Sequence, residues 1–376
     1  MKVLLLIRSL EYGGAERQLV QLAKGLCRKA HSVKVLEFYP GGALEQYLRS
    51  TQVTIHALAK KGRWDVVAFF LRLLRFVKHE KPQVLYALLG VPCILSVFLK
   101  LFSPQMKIVW GVRASNVDLS RYEWLSLYAY RFECFLSRYA DLIIANSHAG
   151  RNYAIKHGFP QNIEVIPNGI DVDHFRPDFP ARQKIRGEWN IKNNEMLIGL
   201  VARLDPMKDH HTFLTAASLV ASKSSKAKFV CVGSGPAGYA SELRAAATKY
   251  GLDDRVIWVG AQNNMRAVYN SLDLLVSSSS YGEGFSNAIA EAMACGIPCV
   301  VSDVGDSAWI VGETGIAIPP QSPEALADGI VTMINKAEFL DGFLQRACRQ
   351  RIIENFGIER LVDNMRTAFE RLICSE

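Results

Sequence analysis

The sequence predicts an α/β protein with two Rossmann-like domains, each built on a parallel sheet. Short apolar runs alternate with longer stretches that carry apolar residues at helical spacing, and this alternation occupies both halves of the chain. Glycine-rich turns follow several of the runs, and the sequence PNGID at 167–171 interrupts the alternation near the middle. With 376 residues, the chain is long enough for two hydrophobic cores. We therefore predict domains at 1–170 and 171–357.

The composition is that of a soluble globular protein, with 49% hydrophobic and 21% charged residues. The eight cysteines form no CxxC pair and accompany no histidine cluster, which favours buried thiols in a reducing compartment over disulfides or zinc ligands. The apolar run at 3–7 is too short for a signal peptide, and the uncharged run at 83–99 is too short to cross a membrane. We therefore predict a cytoplasmic protein.

The net charge of +8 is unevenly distributed. Residues 1–175 hold 23 Lys and Arg against 13 Asp and Glu, whereas the remainder holds 21 against 23. This basic half predicts an anionic partner or surface. Within it, 60–81 carries seven Lys and Arg, two acids and apolar residues at helical spacing. Such a helix either lies in an anionic membrane interface or packs on the sheet with its cations in solvent.

The predicted first domain begins with a strand at 2–7, a turn that contains Gly13 and Gly14, and a helix over 15–29. Strand, glycine turn and helix form either a phosphate or sugar site or only a tight turn. Further strands are predicted at 32–38, 84–87, 108–112, 141–146 and 164–166, and helices at 122–138 and 148–157.

The predicted second domain begins with a strand at 197–201, and the loop after it holds Arg203 and Lys208. Arginine binds phosphate as a two-pronged donor and lysine as a point charge, so this loop suits a diphosphate. Taken alone, the two cations would be ordinary surface charges.

The strand at 228–232 runs into GSGPAG at 233–238, which matches the G-x-G-x-x-G pattern of dinucleotide-binding domains. An NAD-dependent oxidoreductase also needs an acid at the end of the next strand, where it binds the ribose. That strand, 256–259, ends in Gly260, Ala261 and Gln262. The fingerprint is incomplete, and we predict no dinucleotide binding.

The most informative stretch is 272–303, in which a short strand, four serines and a glycine turn precede a helix that begins near 287. Free N–H groups and the positive dipole end make such a helix start attractive to phosphate. Glu283 in the loop and Glu291 in the helix flank this position, and carboxylates accept hydrogen bonds from sugar hydroxyls. The plain alternative is a turn residue and a solvated helix residue.

The two acids lie within EGFSNAIAEAMACGIPCVVSD, which resembles the E-x7-E motif of retaining glycosyltransferases of family 4. The resemblance is specific over 198–320 and rests in the first half on the Gly13-Gly14 turn and the strand–helix alternation. It implies that Glu283 binds hydroxyls of the donor sugar and that Glu291 binds the nucleotide ribose. The residues whose backbone N–H groups would hold the diphosphate and sugar are Gly284, Phe285, Ser286 and Asn287.

The resemblance implies further site residues. Arg203 and Lys208 match the R-x4-K pair that binds the diphosphate and stabilises it as a leaving group, so these cations and Glu283 are the predicted catalytic residues. The implied nucleotide pocket is lined by Gly233, Gly235, Pro236, Ala261 and Gln262. The resemblance also implies that Gly13, Gly14 and Glu16 lie close to the donor phosphates and the acceptor.

One position departs from the family pattern. Many members carry a His that touches the donor sugar, whereas this chain has none between Val109 and Asp118. Arg113 would instead meet a phosphate or carboxylate, and Asn116 would hydrogen-bond a sugar.

The resemblance implies the GT-B fold, in which two Rossmann-like domains face each other across a deep cleft. The last helix, here within 358–376, would pack back on the first domain. The implied reaction moves a hexose or N-acetylhexosamine from a nucleotide-diphosphate sugar, a UDP-sugar, to a lipid-linked or glycan acceptor. Its context would be bacterial surface polysaccharide assembly, such as O-antigen or capsule, at the inner face of the cytoplasmic membrane, without nucleic acid.

We predict no metal ion and no other cofactor. Asp171 and Asp173 have the spacing of metal-binding acids in GT-A glycosyltransferases, but they lie in the turn-rich junction, and cations supply the charge at the predicted site. Two alternative functions use the same fold: a nucleotide-sugar epimerase, and a binding module without catalytic activity.

Overall fold

The computed structural model describes residues 1–62, 64–113, 124–339 and 342–374, with the side chains of 124–127 and 337–339 outside the described groups. The chain forms two compact units. The N-terminal unit comprises Met1–Gly169 and Ile358–Glu376, and the C-terminal unit comprises Ile170–Gly357. Each unit is a parallel sheet covered by helices, which confirms the predicted α/β fold.

In the described part of the N-terminal unit, the sheet has seven strands in the order β3-β2-β1-β4-β5-β6-β7. All its pairings are parallel. The strands are β1 (Lys2–Ile7), β2 (Ser32–Glu37), β3 (Thr54–Ala57), β4 (Val84–Leu88), β5 (Lys107–Val112), β6 (Leu142–Ala145) and β7 (Ile163–Val165). The order reverses direction between β1 and β4, as in dinucleotide-type doubly wound sheets.

Helices cover both faces of this sheet, and the apolar residues of β1 alternate between the two cores. Its helices are α1 (Gly14–Arg28), α2 (Gln46–Arg49), α3 (Val67–Glu80), α4 (Gly90–Lys100), α5 (Trp124–Leu136), α6 (His148–Lys156) and α15 (Ile358–Cys374). Because both faces are covered, β1 and β4 read as continuous apolar runs in the sequence.

Helix α15 brings the last residues of the chain into the N-terminal unit. Its Leu361, Met365 and Phe369 are buried in the core that α1 also lines. The contact with α1 is close, because a Cβ atom built on Gly25 would lie 2.2 Å from Cγ2 of Val362. The Lys29 ammonium and Asp363 carboxylate, 2.6 Å apart, add an ion pair at the edge of this contact.

The segment 60–81 places its helix, α3, against the sheet. Phe69, Leu73 and Val77 are almost completely buried in the core that also contains Trp110. These three residues of the apolar stripe therefore pack inside the protein, while Val66 and Leu71 stay exposed together with Arg75 and Lys78. Among the described helices, none combines the length and the apolar character needed to cross a membrane.

In the described part of the C-terminal unit, the sheet has six parallel strands in the order β10-β9-β8-β11-β12-β13. The strands are β8 (Met196–Val201), β9 (Ala227–Val232), β10 (Val256–Gly260), β11 (Leu274–Ser277), β12 (Cys299–Ser302) and β13 (Ile316–Ile318). The helices are α7 (Phe179–Glu188), α8 (His210–Lys223), α9 (Ala237–Lys249), α10 (Met265–Ser271), α11 (Asn287–Ala294), α12 (Ser307–Val311), α13 (Pro323–Phe339) and α14 (Phe343–Phe356). The strand order reverses between β8 and β11, and the loops that leave these two strands carry the predicted catalytic residues.

Candidate active site

The candidate site lies at the carboxyl ends of β8 and β11, where ligands bind in open α/β sheets. The β8–α8 loop supplies Arg203 and Lys208, and the β11–α11 loop supplies Glu283. The two loops are in direct contact, because the Ser280 N–H donates to the Met207 carbonyl at 2.9 Å. The parallel pairing of β8 with β11 thus brings together residues 75 positions apart in sequence.

Lys208 and Glu283 form an ion pair at the centre of the site. The Lys208 ammonium donates to Oε1 of Glu283, and the side chains are only 18% and 9% exposed. The Ser279 hydroxyl donates to the same oxygen at 2.7 Å. A carboxylate that is mostly removed from water is therefore satisfied by one cation and one hydroxyl.

Two further serines hold the backbone around this pair. The Ser278 hydroxyl donates to the carbonyls of Lys208 and Asp209 at 2.9 and 3.0 Å. The Ser302 hydroxyl, on β12, donates to the Ser279 carbonyl at 2.7 Å. The serine run at 277–280 was predicted only to interrupt the strand pattern, but its hydroxyls link the lysine loop to the glutamate loop.

Arg203 occupies a different environment from Lys208. Its side chain is 75% exposed, and its closest acidic neighbour is Asp205, whose carboxylate lies 3.8 Å away. The Asp205 side chain also accepts a hydrogen bond from the Met207 N–H at 2.9 Å and so starts the short 3-10 turn Pro206–Lys208. The structure brings Lys208 to Glu283 and leaves Arg203 largely in solvent on the same loop.

His210 begins α8 directly behind the lysine loop and is completely buried. Burial disfavours its charged form and lowers its pKa to about 4, with smaller effects from His211 and Lys208. The imidazole is therefore neutral at physiological pH and adds no charge to the site.

Glu291 is a buried residue of α11, 5% exposed, and is not a solvated helix residue. The Tyr269 hydroxyl, from α10, donates to its Oε2 at 2.8 Å. Tyr269 is itself 1% exposed. Sequence reasoning missed Tyr269, because nothing in the local pattern around it indicates a contact 22 residues away.

The glycines of GSGPAG serve close packing between loops. A Cβ atom on Gly233, which has φ 146°, would lie 1.9 Å from the Ala202 carbonyl oxygen, and one on Gly235 would lie 2.2 Å from that of Leu204. The Leu204 N–H donates to the Ser234 carbonyl at 3.1 Å, which fixes the β9–α9 loop against the β8–α8 loop. These two glycines therefore have a structural requirement that is independent of any dinucleotide.

The remaining predicted pocket residues lie beside these loops. Pro236 directly precedes α9, and the Ala261 N–H donates to the Ser234 hydroxyl at 3.0 Å. The side-chain amide of Gln262 donates to the Val259 carbonyl at 2.7 Å. The end of β10 is thus joined to the GSGPAG loop by the Ser234 hydroxyl and by the Gly233 N–H, which donates to the Gly260 carbonyl at 2.9 Å.

The start of α11 is fixed from the neighbouring β12–α12 loop. The Asp306 N–H donates to the Gly284 carbonyl at 3.1 Å, and a Cβ atom on Gly305 would lie 2.4 Å from the Glu283 carbonyl oxygen. Phe285 is buried, with its ring 5.3 Å from that of Phe356. The Ser286 side chain makes no capping hydrogen bond to the first turn of α11, which starts at Asn287.

The predicted residues of the N-terminal unit lie at the carboxyl ends of its own strands. Gly13 and Gly14 join β1 to α1, and the Glu16 carboxylate folds back over Gly13, where a Cβ atom would lie 1.9 Å from it. This carboxylate therefore lies at the positive end of the α1 dipole.

Arg113 follows β5 and is held by two side chains. Its guanidinium donates to Asn168 Oδ1 at 2.7 Å and to the Tyr86 hydroxyl at 2.8 Å. Both partners are buried. The residue predicted to meet a phosphate or carboxylate is thus oriented by neutral oxygens at the sheet end, and Asn116 lies outside the described residues.

Within the described residues, no group of three or more His, Cys, Asp or Glu side chains is arranged to hold a metal ion. The described cysteine thiols are unpaired. Burial raises the pKa of the Cys295 thiol to about 12 and that of Cys348 to about 11, which keeps both protonated.

Two family models match the sequence, one on each side of the junction between the units. Residues 12–174 match a model described as glycosyltransferase family 4, and 195–336 match one described as glycosyl transferases group 1. An Escherichia coli UDP-Gal:alpha-D-GlcNAc-diphosphoundecaprenol alpha-1,3-galactosyltransferase is 25% identical over 338 residues, which are 86% of this chain and 80% of the relative. A D-inositol 3-phosphate glycosyltransferase of Rhodococcus opacus is 28% identical over 237 residues, covering 60% of this chain and about half, 52%, of that protein.

Solved structures share the fold along the whole chain. The Anabaena protein HepE, crystallised in complex with UDP, superposes with a TM-score of 0.86 at 21% identity and covers 99% of this chain and 100% of its own. A glycosyltransferase from Rickettsia africae superposes with a TM-score of 0.84 at 17% identity and covers 100% and 99% of the two chains. At these identities the similarity establishes the fold.

Proposed function

Because the chain belongs to the family 4 glycosyltransferases and has the GT-B fold, we propose that it moves a hexose or N-acetylhexosamine from a UDP-sugar to a lipid-linked or glycan acceptor. The observation that supports this most directly is the buried Lys208–Glu283 pair at the switch point of the C-terminal sheet. The E. coli relative, whose name specifies a UDP-sugar and a diphosphoundecaprenol acceptor, supports the choice of substrates. The biological context proposed is assembly of a bacterial surface polysaccharide such as O-antigen or capsule.

The donor would bind through charge and hydroxyl recognition in the C-terminal unit. Lys208 has three N–H donors and uses one on Glu283, so a diphosphate can share its ammonium group. Exposed Arg203 on the same loop would close on the diphosphate as a bidentate donor. Glu283 would accept hydrogen bonds from the donor sugar, and Glu291 from the nucleotide ribose.

The proposed transfer retains the anomeric configuration. The bond between the anomeric carbon and the diphosphate oxygen breaks while the acceptor hydroxyl forms its bond on the same face. The acceptor proton passes to the departing diphosphate oxygen, so that the new glycosidic oxygen carries no charge. Lys208, Arg203 and the N–H groups at the start of α11 would stabilise the negative charge that develops on the leaving group.

Binding of the donor is tested by thermal-shift measurements with UDP-, GDP- and ADP-sugars. A ligand that binds the native state raises the unfolding temperature, and we expect the largest shift with a UDP-sugar. Transfer is then followed with radiolabelled UDP-sugars and lipid-linked acceptors in detergent. Turnover of the donor without acceptor to give an epimer, or binding without turnover, would contradict the proposal and favour an epimerase or a binding module, respectively.

The catalytic assignment is tested by Lys208→Ala and Glu283→Ala, with Lys223→Ala on the surface of α8 as the matched control. Removing one preorganised charge from a transition state costs on the order of 100- to 1000-fold in kcat, and we expect losses of this size from both variants. An Arg203→Ala/Lys208→Ala double variant that still transfers sugar at the wild-type rate would contradict the roles assigned to both cations.

We also propose that the protein works as a peripheral protein at the inner face of the cytoplasmic membrane, where a lipid-linked acceptor would be presented. The excess of cations in 1–175 supports this location, because anionic lipids attract basic surfaces. Phe69, Leu73 and Val77 of α3 do not contribute, since they are buried in the core.

A further inference from the structure

The large exposed apolar side chains are concentrated in one part of the N-terminal unit. Among the residues that the structure describes, twenty large hydrophobic side chains are exposed, and thirteen of these lie between Trp64 and Tyr139. Soluble proteins rarely leave so many large apolar groups together in water without a partner for them. The stretch therefore needs an explanation beyond ordinary surface composition.

The exposed residues of α4 and α5 follow helical spacing. Phe132, Phe135 and Tyr139 are 45%, 49% and 50% exposed and lie three and four residues apart, on one side of α5 and the turn that extends it. At the end of α4, Leu101 and Phe102 are 74% and 50% exposed. We call the set Phe98, Leu101, Phe102, Phe132, Phe135 and Tyr139 the aromatic face.

The helices that carry the aromatic face are neighbours in one layer. Residues of α3, α4 and α5 pack on the same core below the sheet, and adjacent helices of the three contact each other. The Phe70 ring of α3 lies 6.3 Å from the Phe102 ring, which joins α3 to the end of α4. The residues of the aromatic face therefore lie on neighbouring helices of a single layer.

The exposed charged side chains in the described segments that carry the aromatic face have one sign. Among the described side chains from 64 to 113 and from 128 to 139, every exposed Asp, Glu, Lys or Arg is basic. Lys78 lies 5.6 Å above the Phe102 ring, and the Arg138 guanidinium lies 4.6 Å above the Phe135 ring. Glu133, the acid within α5, is partly buried beside Gly90 of α4, and burial raises its pKa to about 7.

We propose that the aromatic face docks into the interfacial region of an anionic lipid bilayer. Phenylalanine, tyrosine and leucine side chains enter the boundary between headgroups and acyl chains, and lysine and arginine at their edges pair with anionic headgroups. A protein partner would need apolar pockets for the protruding rings of α5 as well as acids for the cations, whereas an anionic bilayer offers both. The inference rests on the proposed function in one respect: a lipid-linked acceptor would bring the protein to a membrane surface.

The test is co-flotation of the full-length protein with vesicles of phosphatidylcholine, with or without phosphatidylglycerol. Phe132→Ser/Phe135→Ser should weaken partitioning by about tenfold or more, because two rings lose their apolar environment. Arg131→Gln/Arg138→Gln should weaken it about fivefold per cation on phosphatidylglycerol vesicles alone. The matched control is Phe179→Ser/Phe343→Ser, which removes two rings of the C-terminal unit that are 66% and 60% exposed.

Circular dichroism and thermal unfolding of each variant verify that the fold is intact. A Phe132→Ser/Phe135→Ser variant that floats as well as the control variant overturns the proposal. A wild-type protein that does not float, and whose aromatic-face variant changes from dimer to monomer in light scattering, also overturns it and makes the face a contact between copies.

Transfer assays with a water-soluble acceptor fragment separate this inference from the proposed function. Flotation that depends on the aromatic face, in a protein without transferase activity, supports the docking surface and contradicts the proposed function. Activity on the soluble acceptor without flotation supports the proposed function and contradicts the docking surface.

Discussion

The Lys208 ammonium and the Ser279 hydroxyl both donate hydrogen bonds to one oxygen of Glu283. Lys208 comes from the loop after β8, whereas Ser279 and Glu283 come from the loop after β11. Since the carboxylate is nearly buried, these two donors help to fix its orientation. Ser279 is therefore a positioning residue for an acid proposed to hold the donor sugar.

Replacing Ser279 with alanine should lower kcat/KM for the donor by about 10- to 100-fold, because a hydrogen bond to a buried charged group contributes about 1.5–3 kcal/mol. Ser279→Thr keeps the hydroxyl and should recover part of the activity. The matched control is Ser222→Ala, which removes a hydroxyl that donates only to the Leu219 carbonyl on the surface of α8. Full activity in Ser279→Ala would show that the Ser279 hydroxyl is not needed to orient the carboxylate.

Tyr269→Phe removes the hydroxyl that donates to Glu291 at 2.8 Å inside the C-terminal unit. The buried carboxylate then loses a donor, and we expect the free energy of unfolding to fall by about 1–3 kcal/mol, measured by urea denaturation. A double-mutant cycle with Glu291→Gln should show coupling between the two changes.

Nucleotide affinity in the same variants distinguishes a structural role of Glu291 from a role in nucleotide binding. If Glu291 binds the ribose, Glu291→Gln weakens UDP binding more than Tyr269→Phe does, as read by calorimetry. Equal UDP affinity in wild type and Glu291→Gln would remove Glu291 from the proposed site.

Glu37 predicts a pH dependence of the N-terminal unit. Its carboxyl is 1% exposed at the end of β2, and burial, with the nearby Glu45 carboxylate, raises its pKa to about 8. The native state therefore holds this proton more tightly than the unfolded state. The resulting stabilisation is fully present below about pH 4.5 and is lost as the pH rises through about 8.

Glu37→Gln imitates the protonated form at every pH. Relative to wild type, the variant should gain stability steadily between pH 5 and pH 8 and show a constant difference above that range, measured by urea denaturation at each pH. A difference that stays flat across this pH range for Glu37→Gln would contradict the raised pKa.

Gly25→Ala tests the contact between α1 and α15. The new methyl group would lie 2.2 Å from Cγ2 of Val362, and overpacking of this kind costs about 1–3 kcal/mol of stability. Adding Val362→Ala should recover part of the loss, because it removes the methyl groups that the new Cβ atom meets. Gly187→Ala on α7, where a Cβ atom meets no other group within 4 Å, should instead stabilise the protein by about 0.5–1 kcal/mol.

The predictions from sequence succeeded where a local pattern determines the structure. Most strands of both sheets, the loop that carries Lys208 and the helix that begins at Asn287 follow from apolar runs and turn residues. The edge strands β3 and β13 were not predicted, because TIHA and IAI are short and most of their side chains are exposed or only partly buried. The helix α14 was also missed, since its sequence has weak amphipathic character.

The site was predictable in its charged residues and not in their partners. Lys208, Glu283 and Glu291 belong to a recognisable motif, whereas the Ser279 and Tyr269 contacts arise from the folding of separate loops and helices onto each other. The GSGPAG glycines match a pattern that is typical of a ligand site. In the structure, Gly233 and Gly235 are required by the close contact of two loops. The apolar stripe of α3 was open to two interpretations, since burial in a core and in a membrane demand the same periodicity.

The position of helix α15 at the end of the sequence determines the order in which the two units can complete their folding during translation. A ribosome that has translated the first 169 residues has made every strand of the N-terminal sheet, but not the helix that shields Leu19 and Leu26 from water. The C-terminal unit can finish folding first, although it is encoded second. The core of the N-terminal unit stays partly exposed to water until α15 has been synthesised. A premature stop in the codons for 358–374 should therefore damage the half of the molecule that was translated first.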